Sequence, residues 1–297
     1  MGATEDSDGT VVAGGRRTPV TLLEVLEMPD DVPQVSAIMA TFNGREVIAD
    51  AIASIQNQRG VSWELIIVDD ASTDGVADTV EAMNDPRIRL VRNPINQGSG
   101  ESRNLAARIA RGRYLAVVDD DDISHPDRFI RSVQVLDSEP NVSVVAAGMT
   151  EFGTWGEDAR PKHLPNAEAI SDRLRRYKTP VGHPSVMVRK EEFFRVGGYD
   201  TKCRRAQDYT LLARFRPDQF AVLPMTLVKY RIEYPLSFSF VKRNFRYHDL
   251  AVRVVRGDES LELRPLGISG FAKAIRSYLL VNGYHYLGHA TGKVLRP

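Results

Sequence analysis

Tyr114-Leu115-Ala116-Val117-Val118 runs without a break into Asp119-Asp120-Asp121-Asp122. The first five residues, largely apolar and partly β-branched, read as a buried strand. A fold that buries this strand must deliver four consecutive carboxylates to one point at its end. Two carboxylates about 4 Å apart repel by roughly 1 kcal/mol in water and roughly 4 kcal/mol at a protein-like dielectric. Either the stretch is a solvated acidic loop or a cation compensates it, and hard oxygen clusters suit Mg²⁺, Mn²⁺ or Ca²⁺. The stretch alone leaves both readings open.

Its neighbourhood narrows the choice. Apolar runs at Val35–Thr41, Trp63–Val68, Ile88–Val91, Tyr114–Val118 and Val142–Ala147 alternate with segments of helical periodicity. Those segments are Arg45–Gln58, Gly75–Asn84, Gly98–Ala110, with Gly112 near its C′ position, and Asp127–Ser138 behind Pro126. This β-α order predicts an α/β fold with a largely parallel sheet and helices on both faces. Ligands of such sheets sit beyond the carboxyl ends of the strands. The first strand ends at Thr41-Phe42-Asn43, the second at Asp69-Asp70 and the fourth at Asp119–Asp122, so one edge collects all three.

Beyond Gly148 the alternation weakens. Phe152–Pro165 reads as a loop, Ile170–Tyr177 as a helix, Ser185–Val188 as a strand, and Lys190–Val196 and Asp208–Arg216 as helices. Phe220–Leu223 and Leu227–Arg231 read as two strands, and the chain from Leu236 onward as helical and basic. The expected division is a tail over 1–33, disordered but for a short helix at Thr21–Glu27, a domain over 34–235 that divides after 123, and a helical, basic extension over 236–297.

Composition excludes several classes. Lys plus Arg and Asp plus Glu each number 39 in the 297 residues, so a general polyanion-binding role, nucleic acid included, has no support. Cys203 is the single cysteine, which rules out an internal disulfide and a cysteine zinc site and fits a reducing cytoplasm. Its neighbours Lys202, Arg204 and Arg205 could lower its pKa, but no catalytic partner stands nearby. The start has no signal-peptide pattern, and no run of 18 apolar residues predicts a membrane span. Val241–Arg256 is basic and amphipathic; it can lie on an anionic membrane, pack on the catalytic part or form a dimer contact.

Each candidate site residue has a plain alternative. Asp69-Asp70 can cap a loop, or one carboxylate can accept from a nucleobase edge. Asn96–Asn104 is a Gly-rich helix start, neither P-loop nor dinucleotide fingerprint, from which Arg103 can reach a phosphate. Asp119 and Asp121 are spaced to reach one metal together, with Asp122 as a further acceptor. Asp208 caps a helix or serves as general base. His183 is structural or touches phosphate or metal.

Val35–Asn43, Ile66–Asp74, Asn96-Gln97-Gly98 with Arg103-Asn104, and Asp119–Asp122 together resemble the inverting family 2 glycosyltransferases. Gly182–Ser185, Val196–Asp200 and Gln207-Asp208-Tyr209 extend the likeness, which covers Val35 to Arg231. The resemblance implies a GT-A fold over 34–235 and a nucleotide-diphosphate sugar as donor, with 34–123 as the nucleotide-sugar half and 124–235 as the acceptor and base half. It implies that Thr41 and Asp70 contact the base, that Asn43 supports their loop, and that Arg103 lies near phosphate or ribose. Asp119 and Asp121 match the Asp-x-Asp metal motif for Mg²⁺ or Mn²⁺, with Asp121 the direct ligand and His183 a further candidate. Asp120 belongs to the nucleotide-sugar side and is the acid expected to tolerate change best. Asp208 matches the catalytic base. The Gln-x-x-Arg-Trp signature of processive synthases is absent after Gln207, which points to non-processive transfer to a saccharide, lipid-linked or small acceptor in polysaccharide, glycolipid or glycoconjugate synthesis. The expected location is cytoplasmic, with peripheral contact at the cytoplasmic membrane face or homodimerisation through the C-terminal region left open. A non-catalytic nucleotide-sugar-binding protein and a sugar nucleotidyltransferase are the competing readings.

Overall fold

The computed structural model describes residues 32–162, 164–258 and 262–291, the side chains beyond 282 excepted. The tail expected over 1–33, with its short helix at Thr21–Glu27, lies outside the described residues but for its last two.

Four strands form the first half of the sheet: β1 (Val35–Thr41), β2 (Trp63–Asp69), β3 (Ile88–Arg92) and β4 (Tyr114–Asp119). They run parallel in the order β3-β2-β1-β4. Helices α1 (Ile48–Gln56), α2 (Val76–Glu81) and α3 (Ser99–Ile109) connect them, and α4 (Arg128–Ser138) follows a two-residue strand, β5 (Ile123–Ser124). The central strands are apolar throughout because both faces are covered. Successive side chains enter opposite cores: Met39, Leu65, Ile67, Ala116 and Val118 join α1 and α4 on one face. Ile38, Ile66, Val68, Leu115 and Val117 join α3 on the other.

The second half is mixed. β8 (Met187–Arg189) pairs antiparallel with both β4 and β6 (Val144–Gly153), and β6 is parallel to β9 (Phe220–Arg231). β5 closes that edge against β9, and β7 (Gly156–Lys162) pairs with β6. Three short helices, α5 (Ala167–Arg175), α6 (Lys190–Arg195) and α7 (Gln207–Leu212), precede the long α8 (Phe238–Val255) and α9 (Ile268–Thr291).

Three expectations change. Most of the predicted loop at Phe152–Pro165 is a β6–β7 hairpin turning at Thr154-Trp155, with Gly156 at φ +114°. Its second strand is charged and held by ion pairs such as Lys229 to Glu157 at 2.8 Å, so it shows no apolar alternation. The two strands predicted around Pro224 are one strand, β9, whose register slips opposite Gly148. That slip accommodates the proline, which cannot donate to a ladder. Gly112 is not a helix cap: α3 gives way to extended backbone at Ala110, and Gly112 lies against β1, where a Cβ would stand 2.6 Å from the Ser36 amide nitrogen.

Candidate active site

β1, β2 and β4 are neighbours, so their polar ends meet at one rim. Thr41 stands opposite Asp69, and Ala40 opposite Asp119. Asp69 is fully buried; it accepts the Ser72 amide at 2.8 Å and pairs with Arg92 at 3.1 Å. Asp70 is also buried, and its carboxylate accepts the amides of Gln97 at 2.9 Å and Gly98 at 2.7 Å and the Asn93 side chain at 2.8 Å. Asp70 thus holds the Gly-rich loop before α3. Asn43, at φ +56°, donates its amide to Ser72 and accepts from the Thr73 amide, both at 2.9 Å, tying the β1 loop to the β2 loop.

The four acids that end and follow β4 occupy different environments. Thr41 donates its hydroxyl to Asp120 Oδ2 at 2.5 Å. A Cβ on Gly44 would stand 2.4 Å from that oxygen, so Asp120 is locked in place and not the free residue of the four. Asp119 forms an ion pair with Arg103 from α3. Asp121 is pushed up to about 7 by burial and by the charges of Asp119 and Asp120. Asp122 is buried, accepts the Arg231 amide at 2.8 Å, and is raised well above its usual range by burial and by Asp119 and Asp121.

His183 and Tyr199 join through Nε2 and the phenol oxygen at 2.8 Å. Burial and then the charge of Arg103 lower the His183 pKa, while Asp119 and Asp208 pull it back. Tyr199 is raised by burial, and it feels Arg103, Asp119 and Asp208. Asp208, in the first turn of α7, therefore shares an electrostatic field with Arg103 and Asp119 although it lies nearly ninety residues further along the chain. Ala206 precedes α7 at φ +56°, a left-handed conformation that a non-glycine residue adopts at a cost. Asn104 fixes Tyr199 by accepting its amide at 3.0 Å and donating to its carbonyl at 2.9 Å. Gln207 donates to Ser99 at 2.7 Å and joins α7 to the start of α3.

Among the described residues, five buried side-chain polar atoms have no hydrogen-bond partner, and four belong here: Arg103 Nε, Asp122 Oδ2, Arg128 Nε and Gln207 Oε1. Buried polar atoms are normally satisfied. A free carboxylate oxygen beside an acid that titrates near neutrality is the donor chemistry of a hard divalent cation, so the residues fit Mg²⁺ or Mn²⁺. Asp119 and Asp121 are the candidate ligands. His183 is engaged with Tyr199, and no group of three or more His, Cys, Asp or Glu among the described residues is arranged to hold a metal.

Two cations of the site gave no sequence signal. Arg128 is 1% exposed and donates to Ser124 and to the carbonyls of Val117 and Val186; burial pulls its pKa down to about 10 against Asp122 and Asp119. Arg231 donates to the Asp121 carbonyl at 3.1 Å and stacks 4.4 Å over Phe152. Each reads in the sequence as one arginine among many. Cys203 carries no chemistry: it is buried with Tyr209, Leu250 and Ala251, and burial raises its thiol to about 11 against the lowering expected from its basic neighbours. The same cluster seats α8 on the catalytic part, with His248 2.7 Å from the Tyr177 carbonyl.

Comparison with known proteins gives this arrangement its class. The profile of Glycosyl transferase family 2 matches residues 36–198. The chain is 32% identical over 266 residues to a Bacillus subtilis (strain 168) protein named as the glycosyltransferase EpsE, covering 85% of this chain and 93% of that one. It is 33% identical over 187 residues to the Escherichia coli (strain K12) protein WcaA, covering 61% and 66%. The Pyrobaculum calidifontis mannosyltransferase PcManGT superposes with a TM-score of 0.58 over 86% of this chain and 74% of its own, at 20% identity. The fold is of the GT-A type and the protein is a glycosyltransferase. The chain belongs to glycosyl transferase family 2.

Proposed function

We propose that the enzyme is an inverting, non-processive, metal-dependent transferase that moves a sugar from a nucleotide-diphosphate donor to an acceptor hydroxyl in polysaccharide or glycoconjugate synthesis. The observation that carries this reading is the acid cluster itself: Asp121 at about 7 and the unpartnered Asp122 oxygen describe a site short of positive charge. Relatives point the same way. WcaA is named for colanic acid biosynthesis, and PcManGT is described in complex with GDP-Man and Mn²⁺.

In this reading Asp119 and Asp121 would hold a divalent ion, which when bound would neutralise the diphosphate leaving group. Arg103 adds a fixed positive charge beside the phosphates. Thr41 and Asp120 hold the floor of the donor site, and Asp70 holds the loop that covers it. Asp208 accepts the proton of the acceptor hydroxyl, at most one bridging water away. The acceptor oxygen attacks the anomeric carbon from the face opposite the diphosphate while the bond to the diphosphate oxygen breaks, so one step inverts the configuration and releases the nucleotide diphosphate. Tyr199 is buried and His183 half-buried, and both feel the charge of Asp208.

Thermal melts with UDP-, GDP- and dTDP-sugars, with and without Mn²⁺, test the proposal. One nucleotide class should raise the midpoint by several degrees only when the metal is present, as mass action on the folded state requires. A chain stabilised by none of them would contradict the reading.

A further inference from the structure

The apolar side of α8 is used, but that of α9 only in part. α9 packs on α8 through Ala274, which is fully buried, and through Phe271 and Tyr278, whose rings lie 5.8 and 5.6 Å from that of Phe238. The Asn282 side chain donates to the Leu236 carbonyl and accepts its amide, both at 2.8 Å, which fixes the rotation of the helix. With that seam set, a second stripe faces outward. Ile268, Phe271, Ile275, Leu279 and Leu280 are 94, 39, 38, 61 and 37% exposed. Their spacing places Ile268, Ile275 and Leu279 on one side of the helix.

Charge selects what covers this stripe. Lys273 and Arg276 are exposed beside it, and Lys242 of α8 stands 5.7 Å from the Phe271 ring. From Ile268 to the last residue the sequence holds no Asp or Glu, and Lys293 and Arg296 follow the helix. A second copy docked about a two-fold axis would set this cationic stripe against itself. A lipid surface with anionic headgroups complements it, with the apolar side chains reaching the acyl boundary and the basic ones at headgroup level. No helix among the described residues is long and apolar enough to cross a membrane, so the contact is one that lies on the surface.

We propose that α9 docks the enzyme on an anionic membrane surface through the Ile268–Leu280 stripe and its flanking Lys273 and Arg276.

The test is co-sedimentation of the full chain with vesicles of phosphatidylcholine alone and with added phosphatidylglycerol. The wild type should pellet with the anionic vesicles and be released by salt. Phe271→Ser with Leu279→Ser, and separately Lys273→Glu with Arg276→Glu, should each lower partitioning by about tenfold or more. Melting points and metal-dependent donor binding should stay at wild-type values in the charge-reversed variant, which separates failure of docking from failure of the active site. Absence of wild-type partitioning, equal partitioning into neutral vesicles, or retention by both variants would overturn the proposal. So would a concentration-dependent dimer abolished by Phe271→Ser, which would assign the stripe to a second copy.

Discussion

Asp70 accepts the backbone amide of Gly98 at 2.7 Å, so a carboxylate at the end of β2 holds the Gly-rich loop before α3. Its other oxygen takes the Gln97 amide and the Asn93 side chain. The resemblance assigned Asp70 to the nucleobase; in the structure both of its carboxylate oxygens also hold this loop. Asp70→Asn turns one acceptor into a donor facing N–H groups and should destabilise the loop by roughly 1–3 kcal/mol. Calorimetric titration should show donor affinity reduced about tenfold or more, with far-UV circular dichroism unchanged. Wild-type affinity would show that the loop does not depend on Asp70.

Gly44 is next. Its Cβ in Gly44→Ala would meet Asp120 Oδ2 at 2.4 Å and Thr41 Oγ1 at 2.7 Å. Aspartate is too short to step aside while bonded to Thr41, so this change of one methyl should break the Thr41–Asp120 contact. Donor affinity should fall while the fold persists. A crystal structure of the variant with that contact intact would refute the account.

The acid cluster sets a pH dependence. A carboxyl whose folded pKa is raised stabilises the fold fully below its unfolded value of 3.8 and loses that contribution as the pH climbs through the folded value, here about 7 for Asp121. Without divalent ions the melting point should therefore fall by several degrees between about pH 5 and about pH 8. Mn²⁺ should restore it, and by more at the higher pH. A metal effect that is equal at both would place the ion elsewhere.

Arg231 is held between Phe152 and the Asp121 carbonyl, and its amide binds Asp122. Arg231→Met keeps most of the stacking volume and the backbone bond but removes the charge. Metal-dependent stabilisation should strengthen severalfold, because the acid cluster loses a competing cation, and Arg231→Lys should return it only part of the way to wild type, because lysine lacks the planar fork. An unchanged metal dependence in the Met variant would reduce Arg231 to a packing residue.

The first half of the fold was legible because its signals are local. Val35–Thr41 was read with its observed bounds, and β2 and β4 were read one residue short, because strands buried on both faces are apolar runs ended by polar residues. β7 was not legible, because ion pairs such as Lys229–Glu157 hold it. β9 read as two strands because Pro224 signals a break while pairing with β6 continues through it. In the site, Asp119, Asp121 and Asp208 could be named as candidates from motif and spacing. Arg128 and Arg231 could not, since their roles arise from antiparallel and cross-sheet neighbours distant in sequence. The difference between Asp120 and Asp121 is likewise tertiary: it rests on Thr41 and on the burial of the cluster.

We propose that Asp208 takes the acceptor proton while Asp119 and Asp121 serve the donor. The direct measurement is Asp208→Asn, assayed for donor binding by calorimetry with Mn²⁺ and for glycosyl transfer by product mass. Donor affinity should stay within about twofold of wild type, while transfer should fall by about 10² to 10⁴. Transfer at the wild-type rate would contradict the assignment of the base. Loss of donor affinity in parallel with transfer would move Asp208 to the donor site.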